Sequence, residues 1–199
     1  ARILENAGYE VVTAADGLSA LHALKTFSPE VAFVDLVMPN INGEKLCRIM
    51  RRTPEAADAY IVVLSAIAAE GHLDHAAFGA DACIAKGPFQ DMAEHVLEVM
   101  KRYEQTGRPP PDPEVIGVRG LQGRVIIEEL LSVKRHFEVV LEHLAEGILE
   151  LTPDEKIVFA NPSAVRALGA TEEELLGTSL TDHFHQPYVQ KLKDLLRNG

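Results

Sequence analysis

VAFVDLVMPNING, residues Val31 to Gly43, is a short apolar run that ends on a carboxylate and then turns. Val31 to Asp35 has the length and composition of a strand buried on both faces of a parallel sheet. Pro39 and Asn42-Gly43 break the run and force a loop before the next helix. A carboxylate at the carboxyl end of such a strand stands where open α/β sheets place their chemistry. Taken alone, Asp35 also reads as a surface residue capping a β-α loop. Two further strand ends decide between these readings. IVVLSA, Ile61 to Ala66, is a second apolar run and carries the hydroxyl of Ser65 at its end. DACIAKGPF, Asp81 to Phe89, ends its short apolar run on Lys86. In a parallel sheet these three ends share one edge. A carboxylate can accept a phosphoryl group, an ammonium can neutralise its oxygens, and a hydroxyl can hydrogen-bond one of them.

Residues 1 to about 105 resemble the receiver domain of two-component signalling systems. The resemblance rests on Asp35 with Met38-Pro39 and Asn42-Gly43, on Leu64-Ser65-Ala66, on Gly79-Ala80-Asp81, and on Lys86 with Pro88-Phe89. It implies a flavodoxin-like, doubly wound parallel sheet. It implies that Asp35 is the phospho-acceptor, Ser65 the switch hydroxyl and Lys86 the phosphate-pairing lysine. It also implies Mg2+, held by Asp35 and the backbone carbonyl of Val37, and a histidine kinase or phosphotransfer protein as phosphoryl source. Three departures stand out. The family's acidic pair follows a first strand, and the sequence starts at Ala1 inside what resembles the end of the first helix. Cys83 stands where the family usually has an aromatic switch residue. Gly87 separates Lys86 from Pro88.

Composition sets outer limits. Of 199 residues, 47% are apolar and 25% charged, which suits one large or two small globular domains. Lys and Arg total 19 against 30 Asp and Glu, a net charge of −11, which argues against nucleic acid or an anionic membrane as partner. No apolar run has transmembrane length and no signal peptide is visible, so a cytoplasmic location is expected. Cys47 and Cys83 give neither a disulfide framework nor zinc spacing. Cys47 lies in an apolar helical stripe with Leu46 and Met50 and reads as a reduced core thiol.

Along the chain, Gly8 stops a first helix, Tyr9 to Ala14 alternates like a strand, and Asp16-Gly17 opens a helix through Leu24. Glu44 to Arg52 forms another. A short helix is expected around Ala68 to Phe78. The helix from Pro88 to Tyr103 carries Met92, Val96, Leu97 and Met100 on one face. Gln105 to Pro113, with three consecutive prolines, reads as a stiff linker. The expected divisions are therefore a receiver at 1–105, a Pro-rich linker at 106–122, a helix at 123–146 and a second domain at 147–199. Within the helix Ile126, Leu130, Val133, Phe137, Val140 and Leu144 follow the 4-3 spacing of a coiled-coil seam. That seam implies a homodimer; packing on a neighbouring domain is the alternative.

GILELTPDEKIVFANPSAVRALGATEEELLGTSL then resembles the front half of a PAS sensor domain, an α+β fold. The pattern is Gly147-Ile148, Asp154, Ile157, Asn161-Pro162-Ser163-Ala164, Gly169 and Glu173-Glu174-Leu175-Leu176-Gly177. The ligand of such a domain is not readable here. Thr171 to Glu174 has the form of a capping box.

Other candidates carry less. His136 lies on the seam helix but lacks the acid, base and proline that follow a kinase phospho-acceptor histidine. No Gly-rich nucleotide loop occurs, so no kinase catalytic domain is present in this sequence. His72, Asp74 and His75 form a short cluster on a solvated helix, weak as a metal site. His183 and His185 match haem ligands only loosely. Three functions follow in order. The first is phosphorelay signalling from Asp35 through a helix to a PAS sensor, within a hybrid sensor kinase or response regulator. The second is a dimeric pseudo-receiver scaffold that is never phosphorylated. The third is a phosphatase-like enzyme with Asp35 as nucleophile, disfavoured because Leu36-Val37 replaces the second Asp of that motif.

Overall fold

The computed structural model describes residues 1–66, 74–112, 114–117, 139–185 and 188–198. The chain divides into two compact units, residues 1–130 and 131–199.

In the first unit, α1 (Arg2–Asn6) buries no residue and stops before Gly8, whose φ is +92°. Helix α2 (Gly17–Ala23) starts at a capping box in which Asp16 accepts from the Ser19 amide. Strand β1 (Val31–Asp35), α3 (Gly43–Arg52), β2 (Tyr60–Ser65), a 3-10 turn at His75–Phe78, β3 (Ala82–Ala85), α4 (Phe89–Thr106) and β4 (Val115–Ile116) follow. The sheet order is β1-β2-β3-β4 and every pairing is parallel. Val31 pairs with Tyr60 and Asp35 with Leu64; Val62 pairs with Ala82 and Ser65 with Ala85. This is the doubly wound α/β arrangement expected from the alternation of strand and helix.

Two local expectations fail for one reason. Residues 9–14 alternate in sequence, yet they form no strand. Strand β1, expected to be buried on both faces, has only Val34 fully buried, whereas all of β3 and five of the six β2 residues are buried. A strand is completed by backbone partners on both edges. Among the described residues nothing pairs with the outer edge of β1, so it sits at the rim.

One sheet face packs Tyr60, Val62, Ala82 and Ile84 against Val99 of α4, with Met92, Val96, Tyr103 and Ile116 around them. Each fully buried Val or Ile here contributes about 1.5–3 kcal/mol. Leu97, expected on this face of α4, is instead 37% exposed; Val99 and Met100 take the inner position. Helix α3 buries Leu46, Cys47, Ile49 and Met50. The helix α4 and its continuation differ from the linker reading. The helix runs on to Thr106, and Val115–Ile116 joins the sheet, with Cys83 opposite Val115 and Ile84 opposite Ile116.

In the second unit, residues 139–143 are helical. β5 (Leu149–Leu151) and β6 (Ile157–Ala160) form an antiparallel hairpin. α5 (Pro162–Leu168) is capped by Asn161 and ends at Gly169 with φ +67°. α6 (Glu172–Leu175) starts with the expected Thr171–Glu174 capping box, a 3-10 turn spans Leu180–His183, and α7 (Tyr188–Asn198) follows. Asn161 is fully buried and makes four bonds: it accepts from the Ile148 and Ala164 amides and donates to the Leu141 and Glu146 carbonyls. Ser163 Oγ donates to the Leu144 carbonyl at 2.7 Å. These side chains satisfy backbone acceptors at the end of the 139–146 segment. Of the seam, Ile126, Leu130, Val133 and Phe137 lie outside the described residues, as do His72 and His136; Val140 is 45% exposed.

Candidate functional site

The register carries Asp35, Ser65 and Lys86 to one edge of the sheet. The Leu36 amide donates to the Leu64 carbonyl at 3.3 Å, and the Lys86 amide to the Ser65 carbonyl at 2.8 Å, so the ladder holds to the last residue of each strand. There Lys86 Nζ donates to Asp35 Oδ2 at 2.5 Å. Asp35 Oδ1 accepts from the Val37 amide at 3.0 Å. The side chains of Lys86 and Asp35 are 34% and 36% exposed, so solvent reaches the pair. Ser65 is at the same edge and almost fully buried. The three residues singled out by their strand ends are thus brought together.

The loop after β1 is held by residues whose roles go beyond breaking a strand. Asn42 caps α3 by accepting from the Lys45 amide at 3.0 Å. Gly43 allows the helix to start against the strand: a Cβ there would lie 2.3 Å from the Asp35 carbonyl oxygen and 2.7 Å from Leu36 Cα. Gly17 plays the same part for α2, since its Cβ would meet the Ile41 carbonyl at 2.2 Å. Asn40, at φ +61°, donates to Asp16 Oδ2 at 2.6 Å. Asp16, which the sequence places only at the opening of a helix, is also tied to the loop after β1. Bonds from the Ser19 amide and hydroxyl, helped by Asn40, hold its carboxyl below the ordinary value. The available signal was a serine three residues after Asp16 at a helix start.

Several other candidates resolve into structure. Cys83 is fully enclosed in β3, and burial pushes its thiol up to about 12, as it does for Cys47. Neither is a nucleophile at neutral pH. Asp74 accepts from the Ala77 amide at the head of the 3-10 turn. His75, expected on a solvated helix, is buried, and its Nε2 donates to the Asp112 carbonyl at 2.8 Å. The cover comes from a segment 37 residues downstream. His183 Nε2 bonds Thr178 Oγ1 at 2.7 Å and His185 is exposed.

A second polar cluster lies at the other edge, before β3. Asp81 is buried and pairs with Arg51 through one oxygen and with Arg108 through the other. The Ile61 amide donates to the same oxygen as Arg51, at 2.8 Å. Arg51 also donates to the carbonyls of Gly79, Ala57 and Ala59. With both Asp81 oxygens and every nitrogen of the Arg51 guanidinium hydrogen-bonded, this cluster reads as structural.

Residues 1–97 match the family described as response regulator receiver domain, and residues 135–199 match the PAS fold. The chain carries a receiver domain followed by a PAS fold. Over 157 residues it is 28% identical to the alkaline phosphatase synthesis transcriptional regulatory protein PhoP of Bacillus subtilis, covering 76% of this chain and 60% of that protein. Over 208 residues it is 24% identical to the sensor histidine kinase TmoS of Ectopseudomonas mendocina, covering 96% of this chain and 21% of the kinase. The chain therefore spans less than two thirds of either relative. Among solved structures, chemotaxis response regulator CheY4 of Vibrio cholerae is 30% identical, with a TM-score of 0.44 over 51% of this chain and 82% of that one. The receiver belongs to two-component signalling. No described helix is long and apolar enough to cross a membrane.

The receiver's donor set meets only part of what magnesium demands. Mg2+ prefers six oxygens in near-octahedral geometry, several of them water. Asp35 contributes a carboxylate, and the Val37 backbone carbonyl is the second oxygen implied by the family pattern. Among the described residues no group of three carboxylate, histidine or cysteine side chains gathers here or elsewhere.

Proposed function

We propose that the receiver accepts a phosphoryl group on Asp35 and passes its charge state through the following helix to the PAS fold. The observation that carries this reading is the solvent-reached Lys86–Asp35 pair, formed across the end of β2 from the ends of β1 and β3. Phosphoryl transfer asks little covalent work of a protein. It asks for positioning and for charge at the equatorial oxygens. A carboxylate oxygen of Asp35 attacks phosphorus in line. The P–N bond of a phosphohistidine, or the P–O bond of an acyl phosphate, breaks, and the leaving group takes up a proton. Lys86 neutralises one phosphoryl oxygen, and the Ser65 hydroxyl donates to another. The Val37 amide holds the attacking carboxylate in its rotamer. When bound, magnesium would add further neutralisation of phosphoryl oxygens, with Asp35 and the Val37 carbonyl as its ligands in this chain.

Receiver domains take their phosphoryl groups from histidine kinases or phosphotransfer proteins, and such a protein is the partner proposed here. The parent is proposed to be a hybrid sensor kinase or a response regulator. Pairing of two copies through the 123–146 seam belongs to the same proposal. The state change is a population shift driven by new local charge.

The test is intact mass after incubation with acetyl phosphate and Mg2+, on this chain and on one extended upstream of Ala1. A labile adduct of one phosphoryl group, absent in Asp35→Ala, is expected on at least the extended chain. A folded extended chain that gains no adduct overturns the mechanism. The scaffold reading would then lead. It draws on Cys83 at the aromatic switch position and on Gly87 after Lys86.

A further inference from the structure

The segment after α4 reads as a linker by composition, yet Arg108 and Asp112 spend their polar groups on the receiver. Arg108 donates to Asp81 Oδ1 at 2.8 Å and to the Asp58 carbonyl at 3.2 Å. Pro109 is buried. The Asp112 amide donates to the Asp81 carbonyl at 2.7 Å, its carbonyl accepts from buried His75, and its carboxylate pairs with Arg102 at 3.2 Å. Past this anchor the chain turns along β3 and pairs in parallel as β4.

Direction gives the segment its meaning. Helix α4 ends at the edge where the strands begin. Because β4 runs parallel to β3, it carries the chain back to the edge where Asp35 and Lys86 stand. Gly117 marks the arrival: a Cβ on it would lie 2.9 Å from the His95 ring of α4 and 3.8 Å from the Ala85 carbonyl. Ala85 immediately precedes Lys86. The two ends of the strap are held unequally. The Asp81 end is held by Arg108 on buried Asp81 and on the Asp58 carbonyl, by the Asp112 amide on the Asp81 carbonyl and by His75 on the Asp112 carbonyl; the Gly117 end has two ladder pairs.

We infer that residues 107–117 are a strap, fixed at Asp81 and free to change at Gly117, through which the state of Lys86 reaches the chain beyond. This rests on the proposed role of Lys86 beside a phospho-acceptor. A phosphoryl group on Asp35 must enter the space between Oδ2 and Nζ, now a single 2.5 Å hydrogen bond. Lys86 shifts, the end of β3 follows, and the short β4 ladder registers the change. A two-residue ladder is marginal alone, so a small shift moves its opening equilibrium.

The test is hydrogen exchange on the whole chain, read peptide by peptide. The β2 amides serve as an internal check of folding. In the unmodified protein the amides at 112 and 115–117 are protected. Arg108→Ala is expected to speed exchange at 112–116 by about tenfold with β2 unchanged. Lys86→Ala, and separately Lys86→Gln, are expected to alter exchange at 115–117 but not at 112, with no phosphoryl chemistry required. Lys101→Ala, on α4 away from both anchors, is the control. Unprotected 115–117 amides in the unmodified chain overturn the strap. Protection indifferent to both Lys86 variants overturns the coupling. An unmodified Asp35 in the mass assay beside a responsive strap would sink the phosphorylation reading and leave this one standing.

Discussion

Asp35 and Asp81 stand at opposite edges of the receiver's sheet, and they are built oppositely. Asp81, before β3, is 4% exposed by side chain and shares its two oxygens among two arginines and the Ile61 amide. Asp35, at the end of β1, is 36% exposed and holds one lysine and one local amide. A carboxylate that must carry new charge needs room, solvent and a partner able to move. A carboxylate that fixes three chain segments needs the reverse. Burial and number of partners, rather than the mere presence of an ion pair, separate a site from a rivet.

The sharpest way to break that contrast is to remove each in turn. Asp81→Ala strips Arg51 and Arg108 of their counter-charge and the Ile61 amide of its side-chain acceptor, and is expected to cost about 3–5 kcal/mol in urea unfolding of the first unit. Asp35→Ala is expected to cost under about 1 kcal/mol while abolishing the phosphoryl adduct. Equal losses would erase the distinction.

Gly43→Ala comes next. Its methyl group enters the space of the Asp35 carbonyl, and moving α3 away is expected to cost about 1–3 kcal/mol. It should also slow adduct formation at Asp35, which a stabilising role alone would not do. Asn42→Ala removes the cap of the same helix and is expected to cost about 1 kcal/mol in thermal unfolding.

The smallest effect near neutrality belongs to the buried thiols. Each is raised from 9.0 to about 12 by burial. A raised thiol favours the neutral, folded form. Its contribution is complete below 9.0 and is lost as pH climbs toward about 12. Iodoacetamide at pH 8 is therefore expected to label neither Cys47 nor Cys83 until denaturant is added. Labelling of Cys83 in the folded chain would show that β3 opens between the two edges.

Much of this was legible in the sequence because it is local. Asp35, Ser65 and Lys86 each close an apolar run, and parallel strands align such closings without further information. Asn161 before Pro162 and Thr171 before Glu174 announced their caps within four residues. What escaped depends on distant partners. Residues 9–14 alternate correctly, but a strand exists only where another backbone lies beside it. Asp81 meets Arg51 from 30 positions before and Arg108 from 27 after. His75 is covered by Asp112, and no pattern around His75 says so. Val115–Ile116 is too short to show any period, and three prolines ahead of it suggest a spacer.

That last strand changes where the receiver ends as a module. A fusion engineer who splices a new effector after α4, at Thr106, would strip Arg108 from Asp81, uncover His75 and bare the β3 backbone. The transplanted part would be a receiver with an open seam, prone to pair with whatever strand came near. A splice placed after Gly117 keeps the seam closed and lets the grafted domain begin beside the edge that carries Asp35 and Lys86 rather than across the sheet from it.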